Sequence, residues 1–99
     1  MNRNVRFSRK SESDLTSIYD YIAQKSGTEI AFAYTLRIRE YCLSLETFAE
    51  RGTVWGSMYS GLRVVGFERR VSIAFRVTPN TVTISRILYG GRDLSQVLR

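Results

Sequence analysis

Val71-Ser72-Ile73-Ala74-Phe75-Arg76-Val77-Thr78-Pro79-Asn80-Thr81-Val82-Thr83-Ile84-Ser85-Arg86-Ile87-Leu88-Tyr89 decides how this 99-residue chain folds. Val71, Ile73, Phe75 and Val77 alternate with Ser72, Ala74, Arg76 and Thr78, and Val82, Ile84 and Leu88 continue the apolar set beyond Pro79-Asn80. A period of two marks strands with one buried face, so the stretch predicts a hairpin turning at Pro79-Asn80. Upstream, Leu62-Arg63-Val64-Val65-Gly66-Phe67 reads as another strand, joined through a turn at Glu68-Arg69. The three make an antiparallel meander whose greasy face needs a cover.

Parity in that hairpin exposes an anomaly. With a two-residue turn, Val77 faces Val82, Phe75 faces Ile84 and Ile73 faces Arg86, which puts an arginine on the apolar face. An unpaired cation there is costly. Arg86 must meet a carboxylate (Asp93 or one on a helix), sit at the rim, or follow a bulge that turns it outward. The functional alternative is a cation held for an anionic ligand.

The cover lies upstream. Val5-Arg6-Phe7-Ser8 is a short strand. Ser11 and Ser13 are candidate N-caps, with Ser11-x-x-Asp14 resembling a capping box. Leu15, Ile18, Tyr19 and Ile22 then form one helical face. Asp14 and Lys25 complement its dipole, and Ser26-Gly27 ends it. Thr28 and Glu29 open a second helix, whose stripe runs through Ala31, Tyr34, Ile38, Tyr41/Cys42, Leu45 and Phe48/Ala49. So short a connection makes an antiparallel helical hairpin. Residues 50–61, with Gly52, Gly56 and Gly61, read as a loop, and Asp93 caps a short final helix from Leu94 to Leu98. The fold class is α+β: one domain over residues 1–99, with a short N-terminal strand, a helical hairpin packed on a three- to four-stranded antiparallel sheet, and a short C-terminal helix.

Composition narrows the chemistry. No apolar run approaches the ~20 residues of a membrane helix, and Met1 to Arg6 has no hydrophobic segment behind its charges, so neither a membrane span nor a secretory signal is expected. A single cysteine, Cys42, forms no internal disulfide and reads as a small core residue; the chain is expected in the cytoplasm. With no histidine, imidazole catalysis is excluded and a metal site would need carboxylates alone, so no metal or cofactor is expected.

The charge is unevenly divided. In residues 1–50 seven basic and seven acidic side chains cancel, whereas in residues 51–99 eight arginines against Glu68 and Asp93 leave +6. Arginine's planar fork suits carboxylates and phosphates, which implies an acidic partner, either nucleic acid or an acidic protein segment. Arg63, Arg76, Arg86 and Arg92 lie in or beside the sheet with Tyr89, a set able to grip RNA or a protein target. Trp55, Met58 and Tyr59 are large apolar groups in a loop, where they mark a partner site or close the edge of the core.

Ser8, then Asp14-Leu15-x-x-Ile18-x-Asp20-Tyr21-Ile22-Ala23, the strand start Gly61-Leu62-Arg63, and Ile87-Leu88-Tyr89-Gly90-Gly91-Arg92-Asp93 together resemble the ParE branch of the RelE/ParE toxin superfamily. The resemblance spans nearly the whole chain; Tyr89 departs from it, standing where such chains commonly carry histidine. It implies a toxin of a type II toxin–antitoxin pair, forming a hetero-oligomer with a ribbon-helix-helix antitoxin whose acidic C-terminal segment wraps it. Candidates for antitoxin contact are Tyr34, Arg37 and Tyr41 on the second helix with Trp55, Met58 and Tyr59. ParE-type members poison DNA gyrase, and RelE-type members cut mRNA in the ribosome. On the gyrase reading Arg63, Arg76, Arg86, Tyr89 and Arg92 are target-binding candidates and no residue is catalytic. On the nuclease reading Arg63, Arg76, Arg86 and Tyr89 would be the catalytic set. That set lacks lysine and histidine, since the only lysines are Lys10 and Lys25, and Glu68 is the only carboxylate between Arg51 and Arg92. Inhibition by contact needs no such equipment and leads. A non-toxic nucleic-acid-binding module is the third alternative.

Overall fold

A computed structural model describes residues 3–54 and 61–90. Its elements follow the chain as β1 (Asn4–Phe7), α1 (Arg9–Ser26), α2 (Thr28–Leu43), one 3-10 turn (Ser44–Glu46), β2 (Thr53–Val54), β3 (Leu62–Phe67), β4 (Val71–Val77) and β5 (Thr81–Tyr89). The strands form a single sheet in the order β1-β5-β4-β3-β2. The expected α+β fold is present, with five strands in place of three or four. The added strand β2 has two residues, too short to show a period, and it pairs through Thr53 with Val64 and Val54 with Arg63. The sheet is also mixed. β1 lies parallel to β5, because the helical hairpin carries the chain across the sheet before it returns.

The cap of α1 differs from both predicted serines. Ser8 occupies it: its hydroxyl accepts the Ser11 N–H at 3.0 Å, while the buried Ser11 hydroxyl donates back to the Ser8 carbonyl at 2.8 Å. Ser8 is fixed there because β5 holds it as well, its N–H bonding Ile84 O and its hydroxyl donating to Ser85 O. Gly27, at φ 98°, ends α1 and starts α2, donating to Ala23 O and accepting from Ala31 N–H. α2 stops at Leu43, short of the predicted Phe48/Ala49, and tightens into the 3-10 turn. Leu45 and Ala49 nonetheless reach the core, so burial continued where the helix did not.

One face of the sheet carries the hairpin. Leu15, Ile18 and Ile22 of α1 and Ala31, Ile38 and Cys42 of α2 pack with Ile73, Phe75, Val82, Ile84 and Ile87. Arg39 ties the two helices through a bidentate pair with Glu12, its shorter contact 2.7 Å. The final helix read over Leu94 to Leu98 lies outside the described residues.

Candidate partner-binding surface

The hairpin register follows the prediction up to Val77 opposite Val82 and Phe75 opposite Ile84. Ser85 is then an extra residue, and Ala74 faces Arg86 while Ile73 faces Ile87. This bulge removes Arg86 from the apolar row. Its guanidinium turns round the β5 edge, left open where β1 stops at Phe7, and meets Asp14 of α1. Nε and Nη2 donate to the two carboxylate oxygens at 2.8 and 2.9 Å, and the same carboxylate accepts the Ile87 N–H at 2.8 Å. The hydrogen bond to Asp14 pushes the Arg86 pKa up, so it remains a cation. Both side chains are mostly buried, at 16% and 11% exposure. The carboxylate and the bulge, offered as alternative escapes for this arginine, occur together.

The other sheet candidates do not gather around Arg86. Arg63 sits opposite Phe75 on the helix-bearing face and donates to Arg51 O at 3.3 Å. Arg76 projects from the opposite face, exposed, in one cross-strand row with Thr83 and Arg6. Tyr89 returns to the helix-bearing face at the far end of β5, its ring 5.7 Å from Tyr21 and 6.0 Å from Tyr34. Two faces and an edge therefore separate the four. Arg92 lies outside the described residues, as do Trp55, Met58 and Tyr59.

On α2, Tyr34, Arg37 and Tyr41 line a side that meets the end of β5, the β3–β4 turn and the end of β3. Tyr34 meets Tyr89 edge-on, Tyr41 packs on Phe67 at 5.2 Å, and Arg37 makes two 3.0 Å bonds to Glu68. Burial raises the Tyr34 pKa, and the Arg37 hydrogen bonds hold the Glu68 carboxyl below its usual range. These side chains serve the fold while leaving edges for contact.

What the sequence reading missed lies one residue further round α2. Phe32 and Leu36 are 61% and 42% exposed, with Leu43 continuing the line. Across from them Leu15 and Tyr19 of α1 complete a groove of about 280 Å³, with Arg39 at its side. The signal was available: Phe32, Leu36 and Leu43 fall outside the stripe that packs on the sheet, and a helix apolar on two faces has a second face to bury. Cys42, on the inner face of this helix, is buried, and desolvation pushes its thiol up to about 12, far from a nucleophile.

Among the described residues no three His, Cys, Asp or Glu side chains converge as metal ligands must, and no helix is long and apolar enough to cross a membrane. No curated protein sequence matches the chain. Among solved structures, one of the chromosomal ParDE toxin–antitoxin system from P. aeruginosa superposes with a TM-score of 0.77 at 30% identity, covering 89% of this chain and 96% of that one. The RelBE2 toxin–antitoxin complex of Mycobacterium tuberculosis gives 0.69 at 17% identity, with 90% and 99% covered, and YafQ of E. coli gives 0.59 at 13%, with 98% and 99% covered. The last two establish a shared fold. The family described as the ParE toxin of the type II toxin–antitoxin system parDE matches residues 5–94. With that match over most of its length, this chain belongs to the ParE toxin family.

Proposed function

We propose that this protein acts in the cytoplasm by binding DNA gyrase and blocking it through protein contact. We further propose that a ribbon-helix-helix antitoxin neutralises it by laying a helix in the α1–α2 groove. The observation that carries the first part is the dispersal of the cationic set. A nuclease must bring its general base and its cations around one scissile phosphate. Here Arg63 and Arg76 lie on opposite faces, Arg86 is held by Asp14, and Tyr89 is packed against two tyrosines. Inhibition by protein contact needs no such convergence and can use whichever of these side chains stays exposed, Arg76 among them. The second part is supported by Phe32 and Leu36, whose exposure beside Leu15 and Tyr19 suits the apolar face of a partner helix.

The test is a supercoiling assay with purified gyrase. Inhibition by this protein is the expected result, with relief on adding the product of the adjacent reading frame. Undisturbed supercoiling, together with mRNA cleavage in a translating lysate, would overturn the reading in favour of a ribosome-dependent endonuclease.

A further inference from the structure

The face of the sheet turned away from the helices has a chemistry of its own. Pairing sets Arg6 of β1, Thr83 of β5 and Arg76 of β4 side by side in one cross-strand row, with Asn4 beside Thr81 two residues back. The flanking rows, Val5-Val82-Val77 and Phe7-Ile84-Phe75, pack into the core beneath the helices, so alternation turns the polar row outward. Asn4, Arg6 and Arg76 are exposed, and Thr81 and Thr83 partly so. None of the five strands holds an aspartate or glutamate. Among the described residues Arg6 meets no carboxylate. A lone charge on an edge strand such as β1 guards against pairing with another chain. Arg76 has no edge to guard, because β4 is the middle strand of the sheet.

The side chains of the row select its partner. Arginine forks, threonine hydroxyls and asparagine amides are the groups that hold backbone phosphates. Two strand spacings, about 10 Å, separate Arg6 from Arg76, so their forks can take separate phosphates. No aromatic ring stands among Asn4, Arg6, Arg76, Thr81 and Thr83, which leaves unpaired bases nothing to stack on. Nor do these five supply the apolar anchor that centres a protein interface. A duplex asks for neither, since its bases are already stacked and its phosphates line the outside. We infer that this face grips a nucleic-acid duplex by its phosphates without reading sequence, Arg6 and Arg76 pairing with phosphates and Thr83 donating between them. The inference goes beyond the gyrase reading and stands apart from it, because the contact is made with the nucleic acid alone.

Fluorescence anisotropy of a labelled DNA duplex and of its RNA counterpart, titrated with the full chain over a salt series, tests it. Each phosphate neutralised adds about 0.9 to the slope of log affinity against log salt on B-form DNA. Arg6→Gln and Arg76→Gln should each flatten that slope by about 0.9 and weaken binding alike on unrelated sequences. Arg6→Lys keeps the charge and should keep the slope. Both arginines are exposed, so thermal melts of the variants should match the wild type. Arg70→Gln with Lys25→Gln, in a cleft on the helix-bearing side, controls for the positive charge of the chain as a whole and should leave the slope unchanged. An unchanged slope in the Arg6→Gln, Arg76→Gln double variant overturns the inference, as does the absence of duplex binding at low salt. A slope lost in the control instead moves the nucleic acid to the other face, and tighter binding of a single strand than of the duplex replaces the duplex; either result overturns it. If the double variant keeps duplex binding but loses the product of the adjacent reading frame, the face belongs to protein and the inference fails. Supercoiling is read separately, so the gyrase reading and this one can fall independently.

Discussion

Asp14 satisfies three donors at once, two from Arg86 and one from the backbone of Ile87, on the side of β5 that β1 no longer covers. Replacing it by alanine leaves a mostly buried guanidinium and an edge amide without partners. The expected loss is about 3 kcal/mol, read by urea unfolding. Asp14→Leu with Arg86→Met should recover much of it, since the cost lies in the orphaned charge rather than in the pair; no recovery in the double variant would show that the carboxylate matters mainly to Ile87. Cys42 makes the opposite kind of prediction. Its thiol, held near 12 by burial, should resist a disulfide reagent in the native state and react fully once unfolded. Arg86 also shows how far a sequence reaches at this scale. Strand parity identified it as misplaced and named a helix carboxylate as a possible partner. It could not single out Asp14, because the extra residue at Ser85 re-phases the strand, and where a bulge falls depends on where the neighbouring β1 ends.

Gly52 carries the approach to β2. At φ 76° its missing Cβ would lie 2.2 Å from the carbonyl oxygen of Val64, on the very strand that β2 joins. Gly52→Ala must therefore push β2 off β3, at an expected cost of about 2–3 kcal/mol, with the amide of Val64 exchanging faster in deuterated buffer. The β3–β4 turn predicts a gain. Glu68 and Arg69 both adopt positive φ, at 48° and 65°, in a turn that favours glycine or asparagine. Arg69→Gly should stabilise by about 0.5–1 kcal/mol, and an unchanged melting temperature would mean the turn is not strained. β4 was legible because alternation over seven residues is hard to mistake, and β3 because a short apolar run with two valines sits between Gly61 and the Glu68-Arg69 turn. β2 has two residues and no period, so only its pairing reveals it. The end of α2 was overrun for a related reason: Leu45 and Ala49 keep the apolar spacing that defines a helix, although a 3-10 turn delivers them to the core.

Across the whole molecule, ion pairs join pieces distant in sequence: Arg39 with Glu12 between the helices, and Arg37 with Glu68 from α2 to the β3–β4 turn. Hydrogen bonds from these arginines lower the pKa of Glu12 and of Glu68. A carboxyl whose folded value is depressed adds stability that is fully present above its ordinary value near 4.5 and is lost as the pH falls through the lowered value. Thermal melts from neutral pH downward should thus hold level and then fall below that point. Glu12→Gln should cost about 0.5 kcal/mol at neutral pH and nothing in strong acid, and a constant penalty at every pH would remove the pair from the account. The distribution of surface also separates folding from recognition. The net charge of +6 falls in the half of the chain that builds most of the sheet, while an exposed apolar line, Phe32 and Leu36, lies on the electrically balanced hairpin. Because these two side chains face solvent, Phe32→Ser and Leu36→Ser should leave unfolding free energy within about 0.5 kcal/mol. If the groove is where neutralisation occurs, the same changes should weaken capture by the adjacent-frame product at least about tenfold, while inhibition of supercoiling persists. Cells carrying the paired genes would then lose viability although the toxin itself is no more potent. Equal protection of the variant and wild-type strains would place the antitoxin's main hold elsewhere, on the sheet.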